Sequence, residues 1–144
     1  MKKVLLIASL AATALAGCAI STEGSLLEPL AEKPDVVCII YNPDVAIKQA
    51  PGIFKKAFKE RGIDATICRA KSECKSQWYM TYDLSRSWDM ATYLSSGHLE
   101  LYKGSELVST SDFSGGWGFN FGKYGRTQQK LEGMIAALLG EVGY

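Results

Sequence analysis

Hydrophobic side chains follow two different periods along this chain, and the change from one to the other constrains its fold. The segment 35–41 is short, rich in β-branched residues and continuously apolar, as expected for a strand covered on both faces. The segment 45–61 repeats apolar residues every three or four positions and stops at Gly62, which predicts an amphipathic helix, either continuous or reset at Pro51-Gly52. A second strand over 63–69 would complete a crossover unit with two parallel strands.

The hydrophobic period becomes two after residue 76, which indicates a run of antiparallel strands. The sequence predicts strands over 77–84, 89–93 with 98–102, and 106–113. A tight turn at Lys103-Gly104-Ser105 joins the last two, and helical spacing returns over 127–142. The expected fold class is therefore α+β in two layers, in which a crossover unit, an antiparallel meander and a C-terminal helix share one mixed sheet.

The N-terminus has the three parts of an export signal. Lys2 and Lys3 give it a basic start, a 13-residue apolar run extends from Val4 to Ala16, and small residues follow. Thirteen residues are well short of the roughly 20 that a permanent membrane-spanning helix needs. We therefore expect residues 1–17 to be removed and to take no part in the fold.

The end of this signal, Leu15-Ala16-Gly17-Cys18, resembles the lipobox of bacterial lipoproteins. The resemblance implies cleavage after Gly17, a diacylglyceryl group on the Cys18 sulfur and acylation of the new amino group. Because each buried methylene contributes about 0.8 kcal/mol, two or three acyl chains would anchor the protein permanently. Ala19 is not the aspartate that retains lipoproteins at the inner membrane, so the outer membrane, facing the periplasm, is favoured. The alternative is an ordinary signal peptide with an incidental cysteine.

The mature chain would have 127 residues, which is 144 less 17 and enough for one domain. Residues 18–33 are polar and contain Gly24 and Pro29, so they are predicted to be a lipidated tether, with a single periplasmic domain over 34–144. Without the two signal lysines, 14 basic and 15 acidic side chains remain. This balance, and the lack of any Lys/Arg cluster, exclude nucleic acid as a partner.

The order of the predicted elements carries a second, looser resemblance. A strand, a helix and further strands are followed by a closing helix. In outline this is similar to small α/β modules of envelope lipoproteins and periplasmic assembly factors, such as the LpoB-type activators of peptidoglycan synthases and the N-terminal domain of TolB. The opening, with a helix ending in Lys59-Glu60-Arg61-Gly62 and aromatic-rich hairpins after the second strand, is also similar to uncharacterised lipoproteins. The resemblance implies architecture and an envelope location, and it carries over no catalytic residue.

Three cysteines remain besides Cys18, and in an oxidising compartment we expect two of them to pair. Cys68 and Cys74 flank a short polar segment interpreted as a turn between two strands, so this disulfide is favoured; Cys38 with Cys68 is the alternative. Cys38 lies in the apolar run 36–40 and is interpreted as an inert buried thiol.

Candidates for catalysis and for metal binding are weak. His98 is the single histidine, and no nucleophile elbow surrounds any serine, so a structural role is predicted for it. Asp83, Asp89 and Asp112 are interpreted as strand-edge carboxylates and not as a sugar-cleaving pair. One histidine and three separated cysteines do not match the spacing of zinc ligands. We therefore expect no catalytic residue, no metal and no cofactor.

Aromatic residues are the remaining candidates for a binding surface. The glycine-rich segment 114–125 carries Trp117, Phe119, Phe121 and Tyr124, either as a bulged strand that fills the core or as a loop that presents an apolar patch to a partner. A second aromatic set on the meander would line a groove for a glycan or peptide, although sheet packing also explains it. This set comprises Trp78, Tyr79, Tyr82, Trp88, Tyr93 and Tyr102.

These observations leave three hypotheses for the function. The preferred one is a non-enzymatic interaction or assembly module, anchored to the membrane by lipid and acting by contact with an envelope protein. The second is a lipoprotein that binds a glycan or another small ligand, and a hydrolase is the weakest of the three. The sequence leaves the partner, the process and the oligomeric state open.

Overall fold

A computed structural model describes residues 21–26, 32–88, 92–114 and 127–141 of the chain. These residues form one mixed sheet with the strand order β1-β6-β5-β4-β2-β3 and two helices packed on one of its faces. The predicted α+β class is thereby confirmed. The elements in chain order are β1 Ser21–Leu26, β2 Val36–Ile40, α1 Ala50–Glu60, β3 Asp64–Cys68, β4 Trp78–Trp88, β5 Thr92–Lys103, β6 Glu106–Ser114 and α2 Thr127–Leu138.

The predicted crossover unit is present, but its helix is shorter than the sequence pattern indicates. Strands β2 and β3 pair in parallel on either side of α1 in the chain. The helix begins at Ala50 and not at residue 45, because Pro51 lacks an amide hydrogen and is tolerated only in a first turn. Val45 and Ile47 lie before the helix, yet both are buried in the core. Gly62, with a positive φ of 72°, follows the end of α1, where the sequence predicts the helix to stop.

The connection between β3 and β4 is a crossing of the sheet and not a turn between neighbours. Strands β3 and β4 both run parallel to β2 and lie on its two sides. The chain must therefore pass across β2 between residues 69 and 77, and it does so through a 3₁₀ turn at Lys71–Glu73. Cys68 and Cys74 therefore flank a turn between two strands, as predicted, but these strands are not neighbours in the sheet.

The meander is confirmed with two differences. Strand β5 is continuous over 12 residues, whereas the sequence predicts two separate strands there, so His98 lies in the middle of a strand. The turn to β6 is the predicted one, with Gly104 at a φ of 63°. Residues 21–26 pair antiparallel with β6 as an edge strand, so this part of the predicted tether belongs to the sheet.

The core lies between the sheet and the two helices. Alternate residues of the central strands point toward the helices and are buried, among them Ile39, Met80, Leu99 and Leu101. Helix α1 contributes Phe54 and Phe58, and helix α2 contributes Leu131, Met134 and Ile135. Gly97 of β5 lets α2 approach closely, because a Cβ there would lie 2.9 Å from the Met134 Cε atom. No helix in the described part of the chain is long and apolar enough to span a membrane.

Candidate functional site

Residues that alternate with the core positions form the other face of the sheet, which we call the open face. It carries polar and aromatic side chains that are exposed or half-buried. The alternation of a β-strand places them there, because neighbouring residues point to opposite sides. On β4, β5 and β6 the open face comprises Tyr79, Thr81, Asp83, His98, Glu100, Tyr102, Thr110 and Asp112.

His98 lies at the centre of the open face between two carboxylates. Its Nδ1 atom is 2.6 Å from Asp112 Oδ1 on β6, and its Nε2 atom is 3.1 Å from Glu100 Oε1 two residues along β5. The hydrogen bond to Asp112 raises the pKa of His98, and the bond to Glu100 adds to the effect, while desolvation opposes it. Both ring nitrogens donate at once in the protonated form, so the imidazolium is the state that this setting favours.

Glu100 connects His98 to a pair of tyrosines. The Tyr102 hydroxyl donates to Glu100 Oε2 at 2.5 Å, which raises the pKa of Tyr102 to about 12 and lowers the pKa of Glu100. The Tyr102 ring stacks on Tyr79 with centroids 4.8 Å apart, and the Lys71 ammonium group lies 4.6 Å from the Tyr79 ring centroid. An aromatic platform, a carboxylate and an imidazolium therefore adjoin on one surface.

A cleft of about 370 Å³ lies beside His98, where β4, β5 and β6 run side by side. Its walls offer carboxylates and hydroxyls, namely Asp83, Asp112, Ser85, Ser96 and Ser114. Such a lining suits a ligand rich in hydroxyl or amine groups, which can donate to the carboxylates and exchange hydrogen bonds with the serines.

The same geometry argues against His98 as a general base. A base must have a free nitrogen within hydrogen-bond reach of the proton that it takes. Both nitrogens of His98 contact carboxylates, and the raised pKa favours the protonated ring. The structural role predicted for His98 is thus consistent with its contacts, while the presence or absence of catalysis stays a prediction.

The three cysteines of the domain meet above β2, and the predicted pairing is wrong. The structure joins Cys38 to Cys74 and leaves Cys68 as the free thiol. Cys38 points to the opposite side of β2 from the core residues Val37 and Ile39, and the β3–β4 connection carries Cys74 across that side. Cys38 is buried, as expected, but it is a disulfide partner and not an inert thiol.

The free thiol lies against the disulfide. All three sulfur atoms lie within 4.8 Å of one another. In the sequence these cysteines are too separated to match a metal site, whereas the fold brings them together. In this form two of the three sulfurs are bonded to each other, so the cluster does not offer three thiolates to a metal ion.

Several predicted site residues lie outside the described residues. They are the lipidation site Cys18, the aspartate Asp89 and the proposed partner-binding set Trp117, Phe119, Phe121 and Tyr124. The remaining exposed aromatic of interest is Trp88, at the end of β4, whose side chain is 75% exposed.

Two contacts were not predicted from the sequence: Glu100 as a partner of His98, and Tyr102 as a partner of Glu100. The signal was available, because positions 98, 100 and 102 alternate on one face of a single strand. Dividing β5 into two strands concealed it. The pairing of Cys38 with Cys74 had no comparable signal, since 36 positions separate them and the crossing that joins them depends on the strand order.

Comparisons with known proteins identify the fold. No protein-family model and no curated protein matches the chain. Among solved structures, the chain is similar to the PelC dodecamer from Paraburkholderia phytofirmans, with a TM-score of 0.56, 16% identity, and coverage of 86% of this chain and 99% of that one. A single-substitution variant of that PelC dodecamer gives a TM-score of 0.57 at 16% identity, with 85% and 97% coverage. The chain therefore shares the fold of PelC along most of its length.

Proposed function

We propose that this chain is a lipid-anchored protein of the cell envelope that works without catalysis, by assembling with further copies of itself and with an envelope protein. The observation that carries the proposal is the fold shared with PelC, which covers 97–99% of a protein that forms a dodecamer. A fold built to pack against identical copies suits an assembly module better than an isolated binding domain.

Two features of the described surface support self-association. Strand β3 is an edge of the sheet and carries Ile67, whose side chain is 47% exposed. An edge strand presents unpaired amide and carbonyl groups, which a second chain can pair with. Strand β4, which is separated from β3 by β2, ends in exposed Arg86, Ser87 and Trp88. Ile67 and Trp88 are the large hydrophobic side chains that lie exposed in the described part of the chain, and both become contact residues in the proposed assembly.

The lipid anchor is the second part of the proposal and rests on the Leu15-Ala16-Gly17-Cys18 motif. Lipidation of Cys18 would hold every copy at the outer membrane, facing the periplasm. Confinement to a surface raises the effective concentration of copies, which favours a large assembly even where each contact is weak. The Cys18→Ser variant should leave the membrane fraction; if it still sediments with membranes, the anchor proposal fails.

The assembly is tested on the full-length lipoprotein, extracted from membranes in a mild detergent and weighed by native mass spectrometry. We expect a closed oligomer of many copies, and we expect the double variant Ile67→Ser with Trp88→Ser to shift the distribution toward monomers. Lys55→Ser, at an exposed position of α1, is the matched control and should leave the mass unchanged. A monomer at every concentration, before and after chemical cross-linking in intact membranes, would refute the proposal.

A second candidate function is the binding of a glycan or another hydroxyl-rich ligand on the open face. The stacked Tyr79 and Tyr102 rings, with the acidic cleft beside them, favour it, since sugars pack on aromatic rings and donate to carboxylates. Titration calorimetry with peptidoglycan fragments tests this function. Binding that survives Tyr102→Ala as fully as it survives Lys55→Ser would argue against the open face as the ligand site.

A further inference from the structure

The three sulfur atoms of Cys38, Cys68 and Cys74, which we call the cysteine cluster, come from three parts of the fold. Cys38 lies in the buried centre of β2, and Cys68 ends the neighbouring parallel strand β3. Cys74 follows the 3₁₀ turn of the β3–β4 connection. Cys38 is fully buried, whereas Cys68 and Cys74 are half-buried, so one shared inner sulfur faces two outer ones.

We propose that the cysteine cluster is a thiol–disulfide exchange site, in which Cys68 and Cys74 alternate as the partner of Cys38. All three sulfur atoms lie within 4.8 Å of one another, so the free Cys68 thiol lies next to the disulfide that it would attack. The strand register explains why Cys68 lies close to Cys38. Cys68 lies opposite Ile40, two residues along β2 from Cys38, so Cys38 and Cys68 point to the same side of adjacent strands.

The exchange needs no external reactant. The Cys68 thiol loses its proton to water, and the thiolate attacks Cys38 Sγ. A Cys38–Cys68 bond forms, the Cys38–Cys74 bond breaks, and its electron pair leaves with Cys74, which takes up a proton. One disulfide and one thiol exist before and after the step, so the oxidation state of the protein is unchanged.

The consequence of exchange is structural, because Cys74 anchors the β3–β4 connection to the sheet. In the observed pairing, the connection is held by the disulfide, by the Ser76 hydroxyl donating to Val36 O at 2.7 Å, and by Lys71 Nζ donating to Gly104 O at 3.1 Å. Exchange removes the covalent link and leaves the hydrogen bonds. Lys71 also lies over the Tyr79 ring, so exchange leaves its hydrogen bond to Gly104 O to hold it at the aromatic end of the open face, without the covalent link.

Mass spectrometry of trapped thiols tests the exchange on the full chain, in a Cys18→Ser background so that three cysteines alone report. The protein is first incubated without reductant, and free thiols are then trapped with iodoacetamide. The sample is quenched in acid, which protonates the remaining thiolates, and is digested with pepsin. We expect two populations: alkylated Cys68 with a Cys38–Cys74 bond, and alkylated Cys74 with a Cys38–Cys68 bond. The second population should be favoured by a longer incubation at higher pH before trapping. Alkylation confined to Cys68 under all conditions would overturn the proposal.

A matched pair of variants isolates each pairing. Cys68→Ser should hold a Cys38–Cys74 bond, and Cys74→Ser should oxidise under the same conditions to a Cys38–Cys68 bond. Trypsin should then cut the connection after Lys71 and Lys75 several-fold faster in oxidised Cys74→Ser than in oxidised Cys68→Ser, with equal circular dichroism spectra showing that both are folded. Failure of Cys74→Ser to form its disulfide while folded, or equal cleavage rates, would also overturn the proposal.

Discussion

Ser109 and Ser111 form a matched pair whose alanine substitutions measure how much one buried hydrogen bond contributes to stability. Both lie on the helix-facing side of β6 and are fully buried. The Ser109 hydroxyl donates to Leu138 O at 2.6 Å, at the last residue of α2. The Ser111 hydroxyl has no hydrogen-bond partner among the described residues. Replacing either serine by alanine therefore deletes the same atom from two different bonding situations.

The two substitutions are expected to change the free energy of unfolding differently: Ser109→Ala lowers it, and Ser111→Ala leaves it unchanged or raises it. Ser109→Ala removes the donor and leaves the Leu138 carbonyl, which has no partner inside its own helix, buried and unsatisfied at a cost of about 1–3 kcal/mol. We expect a loss of about 2 kcal/mol. Ser111→Ala removes a hydroxyl whose desolvation is uncompensated, so we expect a change between none and a gain of about 1 kcal/mol.

Urea unfolding followed by tryptophan fluorescence measures both values by linear extrapolation. The slope of the free energy against urea should be the same in the two variants, because neither changes the surface exposed on unfolding. The midpoint should fall for Ser109→Ala and stay or rise for Ser111→Ala. Equal losses in the two variants would refute the reasoning, since they would show that the Leu138 contact adds nothing to the burial of a hydroxyl.

Three further substitutions test the packing of the sheet against α2 and the ionisation of His98. Gly97→Ala should destabilise the protein by about 1–3 kcal/mol, because the added methyl group would meet the buried end of Met134 at 2.9 Å. Gly133→Ala, in α2 with open space around it, should instead stabilise by about 0.5–1 kcal/mol; thermal unfolding of both variants checks the opposite signs. The pKa of His98 is raised in the folded state, so its contribution to stability is fully present below its unfolded pKa of about 6.5 and is lost as pH rises through the folded value. Since the ring is 44% exposed, we expect the stability difference between wild type and His98→Gln to stay within about 1 kcal/mol and to vanish in mildly alkaline buffer; a difference independent of pH would contradict the assignment.

The parts of the fold that were predictable from the sequence are those set by local patterns. The crossover strands, the final helix and the turn at Gly104 follow from period and turn chemistry, which act over a few residues. The start of α1 was misplaced because Val45 and Ile47 continue the helical spacing of the core residues without being helical. Burial alone does not distinguish a helix face from an irregular segment that packs on the same core.

The parts that were not predictable depend on which strands become neighbours. Cys68 and Cys74 are close in sequence, but β4 inserts on the far side of β2, and this order carries Cys74 over Cys38 instead. The edge position of residues 21–26 has the same origin, because a polar segment becomes a strand only when β6 offers it a free edge. Strand order is decided by the summed packing of the whole sheet, and no short segment contains it.

The strand order also explains why the chain's reactive and polar groups share one surface. Both helices pack on the same side, so every alternate position of β2, β4, β5 and β6 is left to the open side. The β3–β4 connection covers this side at β2 and reaches the start of β4, where Lys71 lies on Tyr79, but the connection ends at residue 77. The Tyr79–Tyr102 stack thus lies between the cysteine cluster and the acidic cleft at the far end of β4. A change of disulfide partner would therefore alter the surroundings of the Tyr79–Tyr102 stack before those of the cleft. Lys71, which lies over Tyr79, is the residue that connects the proposed exchange to ligand binding.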